Sequence, residues 1–249
     1  MNIYFINPPF KAEYGKFSRE SRSPAITKSG ALYYPLWLIY AALYSSKQGH
    51  NVSFLDAPAK QLNEEQSLNI IRKTDNEHSL FVLDTSTPSI KSDVAFAGKL
   101  KALYPHSFVV PVGTHPSACA EETLGYSDAV DAVAIGEYDC IMNELANVLD
   151  AGKDLREVRG LCFWDGKEFV RTAPMPPMKN LDDLPFASQF ITFSLLPHIP
   201  LSRYLPGVDV PFVVISVSIR KRCMGMLFGH DPQRMWWPSS NTLPLISQM

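Results

Sequence analysis

The chain has 249 residues, 46% hydrophobic and 19% charged, with a formal net charge of −2. That suits a folded globular chain long enough for one large domain, or one domain and part of another. The charge balance gives no global basic field, which argues against nucleic acid or an acidic membrane surface as partners. Cys119, Cys140, Cys162 and Cys223 are scattered and form no CxxC pair, so reduced thiols are expected, not a disulfide framework. The opening MNIYFINPP has no basic leader before an apolar core. The most apolar helical segment, 35–44, is too short to cross a bilayer. The expected location is the cytoplasm, with no membrane partner.

Residues 2–6 form a β-rich run that stops at Asn7-Pro8-Pro9, because neither proline can donate to a ladder. Residues 11–30 are polar, with Arg19, Arg22 and Lys28 among serines. They read as a long loop, either functional or simply a surface connection. A helix over 35–48 follows, with Pro35 in its first turn and Gly49 at its C-terminal end. Leu36, Ile39, Tyr40 and Leu43 supply its sheet-facing spacing. Residues 51–55 are the second strand. Residues 63–73 are a helix capped by Asn63, with Glu64 and Glu65 in the first turn. Residues 79–83 are the third strand, leading into the hydroxyl-rich Asp84-Thr85-Ser86-Thr87-Pro88-Ser89, and residues 90–103 are the third helix.

Residues 108–137 are the centre of the pattern. An apolar run ends at Gly113-Thr114-His115-Pro116. A helix start follows, with Ser117 ahead of Ala120 and Glu121-Glu122, and a second apolar run over 129–135 ends at Gly136-Glu137. Strand, glycine turn, helix, strand and glycine turn make a parallel βαβ unit. A fifth helix covers 139–149. The β-α alternation predicts a flavodoxin-like or Rossmann-like five-stranded parallel sheet with helices on both faces. Ligands of such sheets bind outside the carboxyl ends of the strands. The candidate binding residues are therefore Asn7, Pro8, Pro9, Thr85, Ser86, Thr87, Ser89, Gly113, Thr114, His115, Pro116, Gly136, Glu137 and Tyr138. Each has a plain alternative. The glycine turns serve backbone geometry, the hydroxyls cap the third helix, and Tyr33, Tyr34 and Trp37 belong to the core more readily than to a crevice wall.

Beyond Gly152 the pattern changes. Residues 160–171 read as a hairpin around an Asp165-Gly166 turn. A proline-rich linker covers 174–177, and 212–217 (FVVISV) is one more strand. The division is 1–152, an α/β domain; 153–211, hairpin and linker; and 212–249, which by resemblance to a known enzyme family is an incomplete barrel start. Residues 153–218 are expected to lack a packing partner.

These residues resemble the cobalamin-binding radical SAM family. The matching stretches are INPPF at 6–10, LYYPLWLIYAALYSSKQGHNVSFLDAPA at 32–59, GTHPSACAEETL at 113–124 and VDAVAIGEYD at 130–139. GLCFWDGKEF at 160–169 and LDDLPFAS at 181–188 resemble the linker of that family, and FVVISVS at 212–218 its first barrel strand. The resemblance implies an N-terminal domain that holds cobalamin. It also implies a following barrel whose CxxxCxxC loop binds a [4Fe–4S] cluster and S-adenosylmethionine. Here only Cys223 stands in that region, and no CxxxCxxC occurs. Cluster and S-adenosylmethionine are therefore not expected to bind, no metal ligand is assigned, and residues from about 219 onward are expected to be an aberrant tail. The DxHxxG loop of some cobalamin domains is also absent, since Asp56-Ala57-Pro58-Ala59 follows the second strand.

The function expected from the resemblance is cobalamin binding by part of a cobalamin-dependent radical SAM enzyme, methyltransferase-like, without its catalytic cluster. A stand-alone cobalamin carrier, a flavodoxin-like sensor and a non-functional product of a frameshifted gene are the alternatives. The sequence has no GxGxxG after its first strand, no GxxxxGK[ST] and no GxSxG, which argues against dinucleotide, P-loop and hydrolase chemistry.

Overall fold

The computed structural model describes residues 1–11, 19, 33–72 and 78–187. The strand at 212–217, Cys223 and the proposed aberrant tail lie outside the described residues.

Four strands form a parallel sheet in the order β2-β1-β3-β4: β1 (Asn2–Asn7), β2 (Asn51–Asp56), β3 (Ser79–Asp84) and β4 (Phe108–Val112). β1 pairs in register with β2 from Asn2↔Asn51 to Asn7↔Asp56, and with β3 from Asn2↔Ser79 to Ile6↔Leu83. The helices are α1 (Leu36–Lys47), α2 (Glu64–Ile71), α3 (Ile90–Leu103), α4 (Thr114–Ala118), α5 (Ala120–Gly125) and α6 (Tyr138–Asp150).

Each strand feeds two cores, because alternate side chains leave opposite faces of a pleated sheet. Ile3, Phe5, Leu80 and Val82 point to a core shared with Leu38, Ala41, Ile141, Met142 and Leu145 of α1 and α6. Tyr4, Ile6, Phe81 and Leu83 point to the other, shared with Leu68, Phe96 and Leu100 of α2 and α3. Both faces are covered, which is why these strands read as continuous apolar runs. Asn63 caps α2 through a full capping box with Gln66. Gly49 ends α1 at φ +96°.

The expected fifth parallel strand departs from the pattern. β5 covers only Ala132–Ala134 and pairs antiparallel with β6 (Leu161–Trp164), which pairs with β7 (Phe169–Arg171). Asp131 explains the break. Its N–H donates to the Val109 carbonyl at 3.0 Å, so β5 starts alongside β4. Its carboxylate then accepts the Val109 N–H at 2.7 Å, using up a donor that a continued ladder would need. Lys101 holds that carboxylate in place at 2.7 and 2.8 Å.

The single helix expected after Gly113 is also two. α4 and α5 meet at Cys119, whose φ of −126° and ψ of 53° are not helical. The expectation that 153–218 lacks a packing partner fails over 153–187. Val158, Leu161 and Phe163 lie in the α1–α6 core, Thr172 N–H donates to the Leu161 carbonyl, and Ala187 is fully buried. No helix among the described residues is long and apolar enough to cross a membrane.

Candidate functional site

β1 lies between β2 and β3, so the chain reverses its direction of growth across β1. The carboxyl ends of β1 and β3 flank the switch point where such sheets open a crevice. This half of the edge is filled by Arg19, the one residue described among positions 12–32. Its Nε and Nη2 donate to Asp93 Oδ2 and Oδ1 at 3.2 and 2.6 Å, a bidentate pair whose side chains are 1% and 2% exposed. Nη1 donates to Asn7 Oδ1 at 2.6 Å and to the Pro8 carbonyl at 3.0 Å. The guanidinium lies 4.3 Å from the Phe10 ring centroid. Asn7 Nδ2 in turn donates to Asp56 Oδ1 at 3.0 Å, which also accepts the Ala59 N–H.

Asp84, at the end of β3, borders this network. It is buried, and its Oδ2 has no hydrogen-bond partner among the described residues. Burial pushes its carboxyl up to about 7. Arg19 opposes that rise, and the Asp93 and Asp56 carboxylates add to it.

The other half spans the ends of β3, β4 and β5. Thr85 N–H donates to the Val112 carbonyl at 2.9 Å, drawing the β3 end against the β4 turn. The approach is so close that a Cβ on Gly113 would run into the Thr85 carbonyl oxygen, and Gly113 itself holds φ +113°. Glycine is thus required here by geometry. Ser86 and Ser89 form a closed turn: Ser89 Oγ accepts the Ser86 N–H at 3.3 Å and lies 3.1 Å from Ser86 Oγ. Ser89 occupies the cap position of α3 without a capping side-chain bond.

His115 is buried in α4, with Nδ1 3.2 Å from Thr87 Oγ1. Its Nε2, and Thr85 Oγ1, are buried with no partner among the described residues. Ser117 joins the two glycine turns, donating to the Gly113 carbonyl at 2.7 Å and accepting the Gly136 N–H at 3.0 Å. Gly136 holds φ +93° facing open space. Thr114 and Glu137 are exposed beside it, and Pro116 and Tyr138 are buried.

The structure therefore brings Thr85, Ser86, Thr87, Ser89, Gly113, His115 and Gly136 to one stretch of edge. It commits the Asn7 side chain and the Pro8 carbonyl to Arg19. Tyr34 is buried as expected of a core residue, but Tyr33 and Trp37 are 66% and 53% exposed. Sequence reasoning missed Arg19, Asp84, Asp93 and Ser117. Asp84 stands at the end of β3, directly ahead of the hydroxyl-rich turn, and that position was a usable signal for it. Nothing local marked Arg19.

An open parallel sheet in the order β2-β1-β3-β4, with helices on both faces, is an α/β domain of the flavodoxin-like class. The family model described as B12 binding domain matches residues 22–146, half of the chain. The chain belongs to that family. An uncharacterized methyltransferase of Pyrococcus horikoshii is 30% identical over 185 residues, which is 74% of this chain and 38% of that protein. An anaerobic magnesium-protoporphyrin IX monomethyl ester cyclase of Cereibacter sphaeroides is 24% identical over 154 residues, covering 60% of this chain and 25% of that protein.

Among solved structures, the cobalamin-dependent S-adenosylmethionine radical enzyme OxsB, with aqua-cobalamin and S-adenosylmethionine bound, aligns at TM-score 0.61 and 13% identity. The alignment covers 77% of this chain and 24% of OxsB. The radical S-adenosylmethionine methyltransferase TsrM from Kitasatospora setae, with cobalamin and a [4Fe–4S] cluster bound, aligns at TM-score 0.54 and 15% identity, covering 74% and 30%. At those identities the likeness is one of fold. The chain thus spans well under half the length of each of these proteins.

The edge suits a corrin cofactor. Cobalamin presents carboxamide side chains that both donate and accept hydrogen bonds. Thr85 Oγ1, His115 Nε2 and Asp84 Oδ2 offer buried polar atoms without partners among the described residues, and Gly136 leaves room beside them. Among the described residues, no group of three or more His, Cys, Asp or Glu residues is placed to hold a metal ion.

Proposed function

We propose that this chain binds cobalamin along the β3–β4–β5 carboxyl edge, as the cofactor-holding part of a cobalamin-dependent radical SAM protein of methyltransferase-like type. The observation that carries the reading is the pair of buried atoms without a partner among the described residues, Thr85 Oγ1 and His115 Nε2, at the ligand edge of a B12-binding family fold. Buried polar atoms are nearly always hydrogen-bonded, so two orphans on one edge favour a missing ligand.

In this reading Thr85, Thr87 and His115 hydrogen-bond the corrin carboxamides, with Ser86 and Ser89 holding the turn that presents them. Gly113, Thr114, Pro116, Gly136, Glu137 and Tyr138 shape the contact surface, and Asn7, Pro8 and Pro9 border it. Bound cobalamin supplies a cobalt centre able to carry a methyl group. The residues of this chain bind it, orient it and exclude water from its edge. The given sequence has no CxxxCxxC, so we assign this chain cofactor binding without cluster chemistry. The working division keeps 1–152 as the cobalamin-binding domain, 153–211 as hairpin and linker, and 212–249 as an incomplete radical SAM start, in a cytoplasmic setting.

The test is a titration of the purified chain with hydroxocobalamin, followed by absorbance and by thermal unfolding. Saturable binding with a raised Tm is expected, since a ligand that binds only the folded state stabilises it. Absence of binding at high micromolar cobalamin sinks the reading.

A further inference from the structure

The switch-point crevice between β1 and β3 is the place where open α/β sheets take their ligands. In this protein a side chain of the protein itself fills it. We infer that Arg19 is a positioning residue: its guanidinium closes the β1–β3 half of the carboxyl edge, ties β1 to α3, and confines the cofactor to the β3–β4–β5 half. The cofactor part of this statement rests on the proposed function; the positioning of the edge does not.

Three observations carry it. First, the contacts use all three guanidinium nitrogens and come from separate elements. Asp93 belongs to α3, Asn7 to β1, and Pro8 to the turn beyond it. A planar fork is the group that can satisfy a carboxylate bidentately while holding two further acceptors. Second, the pair is dry, with both side chains at 2% exposure or less. A buried ion pair is costly to desolvate and costly to break, so it fixes geometry more than it adds stability.

Third, among the described residues Arg19 is the cation that pairs with Asp93 and acts on Asp84, and Asp93, Asp84 and Asp56 are all buried. Asp56 is further engaged by Asn7 and the Ala59 N–H, and Tyr34 of the pre-α1 segment faces it. Asp84 is left with a free Oδ2 among the described residues, and Arg19 is the cation that acts on it. Arg19 therefore reaches the cofactor half through Asp84, which neighbours Thr85 and the Gly113 turn.

The experiment uses the full chain and three variants: Arg19→Ala, Arg19→Lys and Asp93→Asn. Each is measured for Tm at about pH 5 and about pH 8 and for hydroxocobalamin affinity. R19A is expected to lower Tm by on the order of 10 °C. The loss is expected to be larger at the higher pH, where the Asp84 carboxylate, buried and left without the Arg19 charge, is ionised. Methylguanidinium, at concentrations well below denaturing ones, is expected to restore part of the loss. Methylammonium at equal ionic strength is expected not to, because it lacks the fork. R19A and R19K are both expected to weaken cobalamin binding by about tenfold, or 1.4 kcal/mol.

A merely packed side chain would show neither the pH dependence nor the selective rescue. If R19A does not fold, R19K and D93N decide. Wild-type affinity and wild-type pH dependence in both would overturn the inference. Equal Tm loss at the two pH values, or no selective rescue, would do the same. Failure of the unaltered chain to bind hydroxocobalamin strikes the proposed function alone. The Tm, pH and rescue results still decide the role of Arg19.

Discussion

At the β1–β3 end of the carboxyl edge, Arg19 meets Asp93, Asn7 and Pro8 through four hydrogen bonds. At the β3–β4–β5 end, Thr85 Oγ1 and His115 Nε2 are as deeply buried and meet no partner among the described residues. Both regions lie on the same edge of one sheet, yet the first resolves its polar atoms internally and the second leaves them waiting. Burial alone therefore does not identify a ligand site. Burial with an unmet hydrogen bond points to a site only where it coincides with the ligand edge of the sheet, since Ser45 Oγ and Ser79 Oγ are also buried without partners among the described residues. Asp84 stands on the border, acted on by Arg19 from one side and adjacent to Thr85 on the other.

The largest expected effect breaks the open half outright. Gly113→Ala places a Cβ against the Thr85 carbonyl oxygen at φ +113°. We expect a stability loss of about 3 kcal/mol in chemical denaturation, and loss of cobalamin binding as the β3 and β4 ends part. Gly136→Ala is its control. Its φ is also positive, +93°, but it has open space around it, so it should cost about 1 kcal/mol while still obstructing the ligand.

Next is the border residue. The Asp84 carboxyl sits at about 7 when folded, above its ordinary 3.8, and so does Asp139. Folded protein then holds protons that the unfolded chain has released. Stability from these groups is fully present below about pH 4 and is lost as pH rises through about 7. Asp84→Asn should flatten that slope and raise stability at about pH 8 by on the order of 2 kcal/mol. A slope unchanged in D84N would remove Asp84 from the account.

The smallest change separates the two halves most sharply. Thr85→Val removes an orphaned hydroxyl at nearly constant volume. The free protein should gain up to about 1 kcal/mol, while cobalamin affinity should fall several-fold. Opposite signs for fold and ligand mark a site; equal signs would make Thr85 an ordinary core residue.

Much of this architecture was legible because the signals were local. The third helix runs over Ile90–Leu103, the bounds expected from the sequence, with Pro105 just beyond its end. Asn63 and Gly49 mark helix ends through side-chain and backbone chemistry that acts within a few residues. What escaped depended on distant partners. β5 leaves the parallel sheet because the Asp131 carboxylate takes the Val109 N–H, 22 residues away. Arg19 joins residues 74 apart, from inside a polar stretch with no period to draw attention to it. Ser117 looked like a helix start, yet its hydroxyl links two glycine turns across 19 residues. The candidate edge was legible as a set of strand ends; the partition of that edge was not.

One small contact has a mechanical meaning. The Lys47 ammonium, in the last turn of α1, donates to the Asp183 carbonyl at 2.8 Å. α1 starts at the carboxyl edge and ends at the opposite rim, so the chain is moored at the rim remote from the cofactor side. A helix of 12 residues spans about 18 Å. The contact thus fastens residues 181–183 at the end of the domain remote from the candidate cofactor edge, and Lys47→Ala would release that fastening without touching the edge.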